Sequence, residues 1–155
     1  MPPDARSSAA ADRPVGEDRW GKLVGLDVYE AGPERVRARI LIDERHHQPY
    51  GIAHGGVYCS IVEGVASYGA GQSALARGLP GVVGVSNTTD FLRSHGAGEL
   101  LCEGVPLHQG RRQQLWEVRI TRASDGKLVA RGQVRFQVLD ELPAQRAARG
   151  AKTPA

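Results

Sequence analysis

Little in this sequence offers itself for redox, metal or nucleic-acid chemistry. Cysteine occurs twice, at Cys59 and Cys102, in no C-x-x-C or other metal-ligand spacing. Two such cysteines make no disulfide framework, and both read as small buried hydrophobes. Aromatic residues are 5% of the chain, too sparse to interleave with basic residues along a single strand of nucleic acid. No apolar run nears the roughly 20 residues that span a bilayer, and the N-terminus has no apolar stretch of the secretory kind. A cytoplasmic protein with no membrane or nucleic-acid partner is therefore expected. Charge of one sign is also scarce: 20 Lys and Arg against 17 Asp and Glu leave +3, a surplus that suits a small anionic ligand. His46, His47, His95 and His108 show no metal spacing and read as surface or loop residues, so no metal is expected.

What is present describes one domain. The 155 residues, 41% apolar and 24% charged, are enough for a real core. Residues 1–16 and 141–155 are expected to be disordered, with a core domain over 17–140. Val24 to Tyr29 reads as a strand, and Ala31-Gly32-Pro33 turns it. Arg35 to Ile42 then alternates apolar and charged residues with the period of a half-buried strand. After a loop over Arg45 to Ala53, the stretch from Gly55 to about Ala76 loses that period and reads as one long helix. Four more strands follow: Val82–Leu92, Glu99–Leu107, Gln113–Thr121 and Leu128–Leu139, with Asp125-Gly126 as the last hairpin turn. The class is α+β. Two strands, a long apolar helix and four strands bury most surface if an antiparallel sheet of about six strands wraps the helix.

Glu63 is the only charged residue of that helix. A buried unpaired carboxylate costs several kcal/mol (about 3–5), so it must be paired, solvated or functional. On that residue alone, a structural carboxylate capping a loop stays open. On a helical wheel Ser67 and Ser60 fall about 40° and about 60° from Glu63, at roughly 100° per residue. Cys59, Ala70 and Ala74 share that side of small side chains, while Val57, Ile61, Val62, Val65 and Leu75 take the other. At the helix entry, His54-Gly55-Gly56 combines free backbone N–H groups with glycines that allow close approach. The Gly55 N–H could polarise a carbonyl and stabilise its oxyanion. Gly55 and Glu63 lie about 12 Å apart along the axis, so one chain does not aim both at one carbonyl. A symmetric dimer sharing its site would.

The run Gln48-Pro49-Tyr50-Gly51-Ile52-Ala53-His54-Gly55-Gly56, with Glu63 nine residues after His54, resembles the PaaI-like hotdog-fold thioesterases. It is most similar to the 4-hydroxybenzoyl-CoA and enterobactin-proofreading types, which use Gln and Glu. Gly84-Val85-Ser86-Asn87-Thr88-Thr89-Asp90-Phe91 and His108-Gln109-Gly110-Arg111-Arg112 look like the same family, and the likeness covers about Lys22 to Val138. It implies a hotdog fold and hydrolysis of an acyl-CoA thioester, with coenzyme A as part of the substrate and no cofactor. It further implies a homodimer, or a tetramer of two dimers. Glu63 would be the nucleophile or general base, and Gly55 the oxyanion donor. His54 and Gln48 would orient the thioester, and Ser67 would hold the water or the carboxylate. Gly56, Asn87, Arg111 and Arg112 would contact substrate or coenzyme A, the arginines through its phosphates. Two departures stand against the family pattern: His47 and Pro49 flank Gln48 and bear on how the loop presents its amide, and Tyr58 and Tyr68 are bulkier than expected beside an acyl tunnel unless they lie on the packed face. A carrier-protein thioesterase would use the same residues, and a non-catalytic acyl-CoA-binding module would share the fold.

Overall fold

In Val36–Ile42 (β2), each apolar residue at an even position, Val36 to Ile42, is buried, and Arg39 and Leu41 between them are exposed. The same alternation runs through Gln113–Arg122 (β5) and Leu128–Leu139 (β6). Each strand thus gives one face to a core and one to water. Asp27–Ala31 (β1), Gly81–Phe91 (β3) and Gly98–Gln109 (β4) complete a six-stranded antiparallel sheet in the order β1-β2-β4-β5-β6-β3. The computed structural model describes residues 17–150 of the chain. The expected disorder of residues 1–16 and of 151–155 falls outside them.

One helix, Gly55–Ala76 (22 residues), lies against the sheet with the predicted bounds. We label it α2, after a short first helix. Ile61, Val62, Val65, Ala66 and Ala70 are sealed under Trp116, Phe136, Ile40 and Leu100 of the strands. Contact is tightest at Gly69, where a Cβ would stand 2.3 Å from the Trp116 ring. The indole is fixed in turn: Trp116 Nε1 donates to Gln114 Oε1 at 2.9 Å, and Gln114 Nε2 donates to the Ala70 carbonyl at 3.1 Å. Glycine here trades helix propensity for the approach of helix to sheet. Cys102 belongs to this core, and burial pushes its thiol up to about 12.

Two segments differ from the sequence reading. The start of the expected first strand is instead the end of helix α1, Arg19–Val24. The Asp18 side chain accepts from the Gly21 N–H at 2.9 Å, and Gly25 closes the turn in the left-handed region (φ 83°). These two caps outweigh the strand propensity of Val24, and β1 begins at Asp27. Within the tail, Pro143–Gly150 forms helix α3 with no buried residue. Proline at its first position and the Ala, Gln and Arg that follow are good local helix formers.

Candidate active site

Between β2 and α2 the chain is tied down residue by residue. Asp43 caps a single 3-10 turn over Glu44–His46. Its N–H donates to His46 Nδ1 at 3.1 Å, so the other ring nitrogen of His46 donates to the Val24 carbonyl at 2.7 Å. The Arg45 guanidinium and N–H beside Asp43 hold its carboxyl down at about 2. His47 Nε2 contacts the Gly96 carbonyl at 2.5 Å, and the Ala53 N–H donates to the His95 carbonyl at 2.9 Å. His46 and His95 lie in loops, as expected, but as buried anchors and not on the surface, each binding a backbone carbonyl.

Gln48 sits in this loop. Its N–H donates to the Ile52 carbonyl at 2.9 Å, and its side-chain oxygen accepts from the Tyr50 N–H. His54 is the N-cap of α2, its Nδ1 accepting from the Gly56 N–H at 2.8 Å. That bond occupies the Gly56 N–H, whereas no hydrogen bond from the Gly55 N–H is found among the described residues. The space where a Gly55 Cβ would sit is filled by the Phe91 ring, 2.5 Å from that point. Gln48, Gly55, Phe91 and Arg93 line a cavity of about 310 Å³ that also touches Tyr58. Tyr58 is on the packed face, 3% exposed, with its ring 5.7 Å from that of Phe91. Burial pushes its phenol up.

Glu63 opens elsewhere, on a groove of about 820 Å³ between α1, α2, the first half of β3 and the segment entering α3. Its walls are mostly apolar or small: Trp20, Gly64, Ser67, Gly71, Val82 and Leu142. Trp20 Nε1 donates to Ser60 Oγ at 3.0 Å and ties α1 to the helix beneath. The helical wheel had centred the open face on Glu63 and placed Ala70 and Ala74 there. Both are fully buried, and Leu75, assigned to the packed side, lines the groove. The open face is centred near Gly71, about 80° round the helix from Glu63. Glu63 therefore stands on the margin of the groove, where β3 closes over α2.

On that margin Asn87 Nδ2 donates to Glu63 Oε2 at 3.1 Å, and the other carboxylate oxygen lies 2.3 Å from where a Gly84 Cβ would be. Asn87 was expected on the substrate; here it is bonded to the carboxylate. Gly84 carries no signal of its own in the sequence, because its use depends on a cross-element approach that no sequence period reveals. Ser67 opens on the same groove one turn past Glu63, but no hydrogen bond joins the two among the described residues. Arg111 and Arg112 are exposed on the β4–β5 turn. That turn meets the far end of α2, where Arg77 donates to the Gly110 carbonyl at 2.9 Å. Gly55 is about 33 Å away along the helix, so one chain does not bring the arginines to Gln48 and Gly55. No group of three or more potential metal-ligand side chains occurs among the described residues, and no described helix is long and apolar enough to cross a membrane.

Comparison with known proteins places these elements. The sequence profile of the thioesterase superfamily matches residues 50–129. A Mycobacterium tuberculosis protein named as an esterase is 46% identical over 121 residues, which are 77% of this chain and 86% of that one. Its solved structure superposes with a TM-score of 0.76 at 44% identity, over 80% of this chain and 98% of the other. The 1,4-dihydroxy-2-naphthoyl-CoA thioesterase 2 of Arabidopsis thaliana is 35% identical over 103 residues, 66% of this chain and 64% of that one. The crystal structure of AziG from S. sahachiroi superposes with a TM-score of 0.74 at 40% identity, over 77% and 95% of the two chains.

Proposed function

The chain belongs to the thioesterase superfamily, with its hotdog fold, and from that premise we propose that it hydrolyses an acyl-coenzyme A thioester to the free acid and coenzyme A, with Glu63 as the catalytic carboxylate. The observation that carries this is the one carboxylate of α2, Glu63, held by Asn87 on the margin of an apolar groove large enough for an acyl group. The reaction adds one water across the C–S bond. Either the carboxylate attacks the carbonyl and water then cleaves the acyl-enzyme, or it takes a proton from the attacking water. Both routes raise negative charge on the carbonyl oxygen, which the Gly55 N–H at the positive end of α2 stabilises. Gln48, beside Gly55, orients the thioester. Names among the relatives point to an aromatic acyl group, so 1,4-dihydroxy-2-naphthoyl-CoA belongs first in the panel.

Glu63 and Gly55 line different cavities, so the proposed site is shared by two copies of the chain. The two sheet edges support this. β1 is short and bulged, with Asp27 and Glu30 tied to Arg39 and Arg35, features that discourage edge pairing. β3 has 11 residues, with Val83, Val85 and Phe91 exposed and Asp90 its only charge. Along β3, Gly84 meets Glu63 and Phe91 meets Gly55. Antiparallel pairing of two β3 edges about a two-fold axis sets the Gly84 end of one against the Phe91 end of the other. Glu63 of the partner subunit then approaches Gly55. The two-fold would also carry the partner's Arg111 and Arg112 toward this end, as ligands for coenzyme A phosphates.

The test is release of free thiol from aromatic and aliphatic acyl-CoAs by wild type and Glu63→Gln, with molecular mass measured in parallel. Wild-type turnover reduced at least about a hundredfold in the variant is expected, in a dimer or a multiple of it. Full activity of Glu63→Gln on the best thioester would remove the carboxylate from the mechanism. A monomer that turns over would remove the shared site.

A further inference from the structure

The carboxylate of Glu63 is held by a row of groups that reaches across two strands, and its construction begins with a phase change in β3. In a regular strand, residues 84 and 87 would face opposite sides of the sheet. The register of β3 on β6 slips between Gly84 and Ser86, so Val85 is an extra residue, and Gly84 and Asn87 come to face the helix together. Gly84 leaves the space that one carboxylate oxygen occupies. Asn87 Nδ2 uses its two hydrogens on the other oxygen and on the Cys59 carbonyl of α2, both at 3.1 Å.

An asparagine amide can turn over and present its oxygen instead, which would set it against both acceptors. Those two acceptors oppose the turn, and Thr89, two residues on and on the same face of β3, satisfies the oxygen that faces away from them: its Oγ1 donates to Asn87 Oδ1 at 2.7 Å. The hydroxyl itself is seated over Gly132 of β6, the cross-strand partner of Thr89, where a Cβ would stand 2.6 Å from Oγ1. No Lys, Arg or His lines the groove among the described residues; the other titratable groups on it are Asp18, Cys59 and Tyr68. Asp90 of β3 is turned to Arg131. The charge of Glu63 thus meets an oriented neutral amide on the β3 side.

We propose that Asn87 is a positioning residue for Glu63, with Thr89 anchoring the far end of its amide, so that the carboxylate is aimed before the substrate arrives. This rests on Glu63 being catalytic. Preorganisation of this kind acts on the chemical step more than on binding of the thioester.

The test uses the full chain in its native assembly and the best acyl-CoA of the panel, with Asn87→Asp, Thr89→Val and Glu63→Gln compared. Asn87→Asp keeps the shape but sets a second carboxylate against the first. We expect kcat to fall about tenfold or more, KM to stay within about twofold, and the acid limb of kcat/KM to move up by about one pH unit or more. Thr89→Val keeps a strand-forming shape and leaves the Asn87 amide oxygen without its donor, with an expected loss of about threefold in kcat at unchanged KM. A folded Asn87→Asp enzyme whose acid limb does not move overturns the proposal, whatever its kcat. Should that variant not fold, Thr89→Val decides, and wild-type kcat there overturns it. Inactive Glu63→Gln beside normal Asn87→Asp and Thr89→Val removes the positioning role alone. Active Glu63→Gln removes the catalytic reading and the positioning role with it.

Discussion

The two faces of α2 are built from the same small vocabulary of residues and do opposite things. On one, Ile61, Val62, Val65, Ala66 and Gly69 are sealed against the sheet, and even glycine is there for contact, since Trp116 fills the place of its side chain. On the other, Ser60, Ser67 and Gly71 line the groove, and Gly71 leaves room there. The difference teaches that composition does not tell a packed helix from a hollowed one. What crosses the helix decides it, and Glu63 stands on the line where β3 ends one regime and the groove begins the other.

The packed face should give the largest effects on stability and need not touch the chemistry directly. Trp116→Ala empties the centre of the core and strands the amide of Gln114, so a loss of about 3–5 kcal/mol is expected from urea unfolding. Gly69→Ala adds a methyl where the indole already lies, with an expected cost of about 1–3 kcal/mol. A neutral Gly69→Ala would mean that the helix can lift from the sheet, and the contrast between faces would fail. On the groove side the currency changes from stability to rate. Ser67→Ala should unfold within about 0.5 kcal/mol of wild type yet lose about tenfold in kcat/KM, about 1.4 kcal/mol at the transition state. Unchanged kinetics there would leave Ser67 as a lining residue and nothing more.

How much of this could be read beforehand follows the same division. The strands and α2 were legible because period-2 alternation and its loss are local signals, and the bounds of α2 were found as Gly55–Ala76. The first helix was missed because six residues carry too little period to set against strand-forming Val24 and Val28; its evidence was the pair of caps, Asp18 and Gly25. Among site residues, those that sit on one element at a helical spacing, Gly55, Glu63 and Ser67, were placed from that spacing. Asn87 was singled out with a different partner, because its bond to Glu63 spans 24 residues and depends on a bulge. The burial of Ala70 and Ala74 was misjudged for the same reason: a wheel describes one helix, while the line between its faces is drawn by β3.

The smallest expected effect is the sharpest test of what the open face is for. At Gly71 an added Cβ would meet nothing within 4 Å, in contrast to 2.3 Å at Gly69 two residues earlier. Within one chain, Gly71→Ala therefore gains helix propensity and loses unfolded-state freedom, and should stabilise by about 0.4–1 kcal/mol. If the groove stays open for an acyl group, that gain should appear in urea unfolding, with KM for the longest acyl-CoAs rising as the methyl narrows the wall. If a second copy packs its own helix closely at this point, the same methyl meets that helix instead. Stability then falls, and the mass of the assembly at low concentration falls with it. One methyl on Gly71 thus separates an open wall of the site from a contact between copies.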